Sequence, residues 1–190
     1  MAQLDRRAKE YKAMLNHPLI RGRKVIGKGC FSTVFDNGST VLKLTIDDYS
    51  HHFLGDYRLN SVYMPRKTHS WGCVGIYKEQ NFWLLEMERL HKLKPGEDAY
   101  NSARELEQTV YLARKRLNFD VKNAKTLVET MLKVCDWPLE IRKDLWSHLF
   151  SLADFADEHG AMLDIHRGNW MKRDNGDMVF CDPLVNIETW

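Results

Sequence analysis

Apolar positions along this chain change their period twice, and the elements follow from those changes. Leu4, Ala8, Tyr11 and Leu15 recur at helical spacing until "NHP", where Pro18 blocks continuation. The period then shortens. "KVIGKGCFSTVFDNGSTVLKLTI" reads as two β-branched and aromatic runs joined by "DNGS", a hairpin signal. Residues 47–60 are mixed and predict a helix. "CVGIYKEQNFWLLEME", 73–88, predicts a second hairpin turning near Glu79 to Asn81. After "LKPGED" the helical period returns. Ser102 and Glu105 have capping-box spacing, with Leu106, Val110, Ala113 and Leu117 as the apolar stripe behind them. Leu127, Val128, Met131 and Leu132 mark a shorter helix. The clearest helix starts after Asp136 and Pro138: Ile141, Leu145, Leu149, Leu152 and Ala156 share a face, and Gly160 stands where a C-cap belongs. Near the end, "WM" and "MVFC" are short strands flanking "KRDNGD", whose Asn-Gly predicts a tight turn.

The pattern predicts an α+β chain, a β-rich half followed by a helical half, with a boundary near 88–96. No repeat, low-complexity tract or linker interrupts it. At 190 residues there is room for one domain with a real core or for two small lobes. A net charge of +2 gives no strong electrostatic case for nucleic acid. The one basic cluster, Arg114, Lys115 and Arg116, falls on a predicted helix and reads as a solvated face. The N-terminus is charged throughout and offers no signal-peptide core. The longest apolar run, "FWLL", is far below the ~20 residues of a membrane span. Cys30, Cys73, Cys135 and Cys181 are scattered, which argues against a zinc site or a disulfide framework and fits a protein of the reducing cytoplasm. The tryptophans read as core or interface residues.

The chemistry concentrates in "LDIHRGNWMKRDNGDMVFCDPL", 163–184. If "WM" and "MVFC" pair, the hairpin brings the entering loop, Asp164 to Asn169, beside the exit at Asp182. Three oxygen-bearing side chains then meet at one edge. Hard oxygen ligands around an open site suit Mg²⁺, which takes its remaining ligands from water and phosphate. Asp164 would be left to orient a hydroxyl. Turn formation alone explains Asn175 and Gly176. For the other three the spacing is informative: five positions from 164 to 169, then thirteen to 182, as in the catalytic Asp and metal-binding Asn and Asp of protein kinases.

A second stretch, "IGKGCFSTVF", reads G-x-G-x-F-S-x-V across a strand-turn-strand. Such a loop lays backbone over phosphates because no side chain intervenes, although its third glycine position is Ser32 and its glycines could serve the turn alone. Gly27, Lys28, Gly29, Cys30, Phe31, Ser32 and Val34 are the candidate nucleotide-contacting residues. Cys30 and Cys181 read as small packing residues. Lys43 lies between apolar neighbours of a predicted strand, where a buried ammonium needs an anionic partner that ATP phosphates would supply. "LLEMERL" reads as a strand and hinge, with the backbone of Glu86, Met87 and Glu88 directed to an adenine edge.

In order, "GKGCFSTVF", "VLKL", "LLEME", "LDIHRGN" and "FCDP" resemble the protein-kinase-like fold. The resemblance is greatest to the serine/threonine protein kinases made early in infection by T7-like bacteriophages, over roughly residues 20–184. It implies a single minimal bilobal domain over 1–190, with an N-terminal helix over 1–18, a β-rich lobe over 19–90 and a reduced helical lobe over 91–190. It further implies transfer from ATP with Mg²⁺ to Ser or Thr of host bacterial or phage proteins in the host cytoplasm. Lys43 would hold the α/β-phosphates, Asp164 would orient or deprotonate the acceptor hydroxyl, and Asn169 and Asp182 would bind Mg²⁺.

Three features depart from the family. Met162 and Leu163 stand where protein kinases have "H-R". No glutamate lies between Lys43 and Glu79, so Asp47, Asp48 or, by choice, Asp56 would pair with the lysine. Only eight residues follow Asp182, leaving no room for a long activation loop or peptide platform. His166 resembles instead the "D-x-H-x-x-N" of aminoglycoside and choline kinases and would touch the γ-phosphate. A small-molecule phosphotransferase and a kinase-like module that inhibits a host protein therefore stay open beside the protein kinase. The oligomeric state is not legible.

Overall fold

The computed structural model describes residues 3–54, 61–121, 123–135 and 142–186. The chain divides into two compact units: Met1–Gly55 with Pro65–Arg89, and Asp56–Met64 with Leu90–Trp190. Mixed α+β is the observed class. No described helix is long and apolar enough to cross a membrane.

The first unit is a five-stranded antiparallel sheet behind a short helix, α1 (Lys9–Met14). Its strands are β1 (Val25–Lys28), β2 (Ser32–Asn37), β3 (Thr40–Thr45), β4 (Lys67–Tyr77) and β5 (Gln80–Glu88), ordered β1-β2-β3-β5-β4. The "DNGS" hairpin forms, with Gly38 at φ +75° in the two-residue turn between Asn37 and Thr40. Only glycine takes that conformation without strain. The second hairpin turns at Lys78–Glu79, both at positive φ, and its first strand starts at Lys67. Strand alternation then sorts the faces. Phe35, Leu42, Leu44, Phe82 and Leu84 enter a core completed by Leu4, Tyr11, Ile20, Ile46 and Tyr77. The helix expected over 47–60 is described only as α2, Asp48–Phe53.

The second unit packs α3 (Asp98–Arg116), α4 (Ala124–Val134) and α5 (Lys143–Glu158) in sequence order, with α5 against β7 (Ala161–Leu163). The capping box expected at Ser102 is not the start of α3. Pro95 and Gly96 (φ +89°) break the preceding chain, so Glu97 takes the N-cap position and Ser102 falls inside the helix. Leu145, Leu149, Leu152 and Ala156 are buried on α5, while Ile141 lies outside the described residues. Gly160, at φ +66°, follows the C-cap His159.

Two small sheets finish this unit. One is β6 (His91–Lys92), β8 (Trp170–Lys172) and β9 (Met178–Phe180); the other pairs β7 with β10 (Leu184–Asn186), a strand the hydrophobic pattern did not predict. The β8–β9 turn closes with the Gly176 N–H donating to Arg173 O at 3.0 Å, and Gly176 has φ +90°.

Candidate functional site

In the second unit, local pairing determines where the carboxylates lie. β8 and β9 align Trp170 with Phe180, and β7 and β10 align Leu163 with Leu184. Asp182 falls in the short step between β9 and β10. The residue before it, Cys181, donates its N–H to Asn169 O at 2.8 Å. The residue after it, Pro183, accepts the Asp164 N–H at 2.8 Å. Asp164, Asn169 and Asp182 are thus tied by backbone on both sides of Asp182.

Side chains set the rest of this loop. Asn169 Nδ2 donates to the Asp164 carbonyl and to Asp164 Oδ2, both at 2.9 Å. With the amide nitrogen so engaged, Asn169 Oδ1 is its acceptor atom. Residues 167–169 form one 3₁₀ turn capped by His166, whose Nδ1 accepts the Gly168 N–H at 3.0 Å. In the neutral ring that places the proton on Nε2, 3.5 Å from Asp164 Oδ2. A Cβ on Gly168 would stand 2.6 Å from the His166 ring, so glycine is what admits the histidine.

α3 supports this loop, which the sequence pattern did not reveal. Arg167 pairs with Glu107 at 2.5 Å and donates to Tyr100 Oη at 3.0 Å, joining residues 60 and 67 positions apart. Arg114, expected on a solvated face with Lys115 and Arg116, is instead half-buried and donates to Leu163 O at 3.4 Å. Burial lowers its pKa and the charge of Asp164 opposes that shift. It therefore stands beside the catalytic candidate where Met162 and Leu163 offer no basic residue. Burial in this unit also acts on His148 of α5. It stacks on Tyr63, meets Phe180, and is pushed down to about 4 by desolvation.

In the first unit, the registers Gly27↔Val34, Val34↔Lys43 and Lys43↔Leu85 make one row across four strands. Directly opposed residues project to the same face, here the face away from Leu42 and Leu44. Val41, Thr45 and Met87 share it. Lys43 is 6% exposed. Neither Gly27 nor Gly29 has positive φ, so the turn does not itself demand glycine. Added Cβ atoms would instead meet Val34 Cβ at 3.3 Å and Ser32 Oγ at 3.1 Å. Their lack of side chains keeps the loop thin between Lys28 and Ser32. Cys30 is exposed at its tip, contrary to the packing role expected for it.

One further expectation is corrected. Glu86, Met87 and Glu88 lie inside the sheet, aligned with Leu42, Val41 and Thr40 on β3. Glu86 and Met87 are also aligned with β4, and the Glu88 N–H donates to Arg66 O at 2.9 Å. Their backbone is spent on the ladder, and the Glu86 carboxylate accepts from Asn37 and Thr40. Among the lysine-partner candidates, Asp48 accepts the Trp83 indole N–H, Asp47 Oδ1 accepts the Tyr49 N–H at 3.0 Å, and Asp56 lies outside the described residues. No described group of three or more His, Cys, Asp and Glu side chains is arranged to hold a metal. One carboxylate and an amide oxygen are a smaller set, of the kind Mg²⁺ accepts when water and phosphate complete its shell. Neither a scan against protein-family models nor a search of curated proteins finds a match to this chain.

Proposed function

We propose that this chain transfers the γ-phosphoryl group of Mg·ATP to a hydroxyl of a polypeptide, as a minimal serine/threonine kinase of kinase-like bilobal fold. The observation that carries the reading is the bracketing of Asp182 by hydrogen bonds to Asn169 and Asp164, with the Asn169 amide bonded to the Asp164 carboxylate. A turn does not need the Asn169–Asp164 side-chain bond; a site handling a cation and a hydroxyl uses all three residues.

In this reading Asp182 and Asn169 Oδ1 would hold Mg²⁺, which would supply charge neutralisation at the phosphate oxygens. Asp164 meets Asn169 and His166 through Oδ2, so Oδ1 is assigned to the acceptor hydroxyl. The hydroxyl oxygen forms the new P–O bond, its proton passes to Asp164, and the β–γ bridging bond breaks to release ADP. Lys43 holds the α/β-phosphates. Val34, Leu85 and Met87, on its face, make apolar contact with adenine, replacing the backbone contact expected at 86–88. His166 keeps Nε2–H as a donor to the γ-phosphate.

That last feature also favours the second reading, a small-molecule phosphotransferase, since the locked His166 belongs to the D-x-H-x-x-N pattern. Incubation with γ-labelled ATP and Mg²⁺, alone and with bacterial lysate, separates the readings. The expected result is label on protein, lost in Asp164→Ala and in Asp182→Ala while both remain folded. Full activity of Asp182→Ala would end the metal assignment. Nucleotide binding with no labelled protein would move the function to a small acceptor or to a binding module.

A further inference from the structure

The glycine-rich loop is held from behind by a segment that the phosphoryl-transfer reading does not use. Arg6 donates through its guanidinium to the carbonyls of Gly29 and Ser32, the latter at 2.7 Å, and through Nε to Thr33 Oγ1 at 3.3 Å. The Leu4 N–H donates to Cys30 O at 2.9 Å. From the end of β3, the Ile46 N–H donates to Phe31 O at 3.0 Å and Thr45 Oγ1 adds a second bond at 3.3 Å. Every carbonyl from Gly29 to Ser32 is therefore engaged.

Peptide geometry gives this a consequence. In a trans peptide the C=O and the following N–H point in opposite directions, and the chain has no cis bond. Drawing the Gly29 and Cys30 carbonyls onto residues 4–6 turns the N–H groups of Cys30 and Phe31 away from that segment. Successive backbone N–H groups directed from behind are what an anion-binding loop requires. The segment is itself anchored. Leu4 and Tyr11 are each 4% exposed within the core, and Tyr11 Oη bonds Thr33 Oγ1 at 3.1 Å. The Asp5 N–H donates to Tyr77 Oη at 3.0 Å. Arg6 has carbonyl and hydroxyl partners rather than a carboxylate among the described residues, so its charge adds to the attraction for an anion.

We infer that Arg6 is a positioning residue for the nucleotide phosphates: through the Gly29 carbonyl it sets the direction of the Cys30 amide, beside the Phe31 amide set by Leu4, without touching the phosphate. The inference rests on the nucleotide reading of this loop. The test compares wild type, Arg6→Ala and Arg6→Lys in the full chain. Its readouts are Mg·ATP affinity, turnover at saturating ATP, and amide exchange at residues 29–33 without nucleotide. Arg6→Ala should weaken ATP binding about tenfold or more, the scale of a lost charge-assisted hydrogen bond. Turnover at saturation should change much less. Methylguanidinium added to Arg6→Ala should restore affinity, which it would not do for a general loss of packing. Arg6→Lys keeps the charge but cannot span two carbonyls, so it should recover affinity only in part. Unchanged affinity, or a loss without rescue that follows the folded fraction, would overturn the inference. If wild type binds no Mg·ATP, the nucleotide reading fails instead. Faster exchange at Cys30 to Ser32 in the variants would then still support the strap, and equal exchange would reject it.

Discussion

The glycine-rich loop and the Asp164–Asn169 loop are both short connections, yet they are held in opposite ways. The first has its carbonyls taken by donors from the N-terminal segment and β3. The second is held by its own side chains, with Asn169, His166 and Arg167 each bonded to a neighbour. A loop that binds through backbone must be thin and anchored elsewhere, whereas a loop that binds through side chains must lock their rotamers. Under the proposed function, that difference would give ligand binding to the first loop and turnover to the second.

The sharpest way to break that division is a pair of variants. Asp164→Ala should lower transfer by roughly 10²–10⁴-fold, the range for removal of a general acid or base, and leave Mg·ATP affinity nearly unchanged. Lys43→Met, which keeps the buried length and removes the charge, should weaken nucleotide binding itself. Equal loss of binding in both variants would show that the two loops do not divide the work.

Acid should separate the regions next. His148 lies in the second unit, and burial lowers its pKa from 6.5 to about 4. Between those values the unfolded chain binds the proton and the folded one does not, so stability is fully present above pH 6.5 and falls as pH drops toward 4. The linked loss amounts to roughly 3 kcal/mol across that window. Denaturant unfolding of wild type and His148→Leu at pH 7 and pH 4.5 checks it. The variant should lose less stability on acidification, and parallel losses would remove His148 as the cause.

Glycine substitutions offer a gentler contrast. Gly168→Ala places a Cβ 2.6 Å from the His166 ring, whereas Gly27→Ala meets Val34 Cβ at 3.3 Å. The first should displace His166, visible as loss of the Nδ1 hydrogen bond by NMR, and lower turnover more than affinity. The second needs a shift of a few tenths of an ångström and should act mainly on ATP affinity. Smallest of all is Glu107→Gln, because the Arg167 pair it weakens is exposed to solvent. A small, salt-dependent change in turnover is expected, measured across a salt series; a large salt-independent loss would give Glu107 a direct role.

Much of the local architecture was legible in the residue pattern. "DNGS" announced the first hairpin and "NGD" the last, since few residues other than glycine enter positive φ cheaply. The apolar faces of α4 and α5 followed from their period. The start of α3 was misread, because Ser102 and Glu105 imitate a cap while Pro95 and Gly96 do the breaking. At the candidate site, the spacing of Asp164, Asn169 and Asp182 was visible, but neither Arg114 nor Arg6 was. Each looked like one charged residue on a polar helical stretch.

What the sequence determined by itself was therefore local: periodicity, turn chemistry, and three oxygen-bearing residues at a fixed interval. Tertiary structure alone decided that β10 pairs with β7, that Glu86 to Glu88 are enclosed in the sheet, and that Arg114 and Arg6 reach their loops. The reason is physical. Backbone conformation depends on neighbours a few positions away, while a hydrogen bond between residues 26 or 60 positions apart leaves no periodic trace in the chain that makes it.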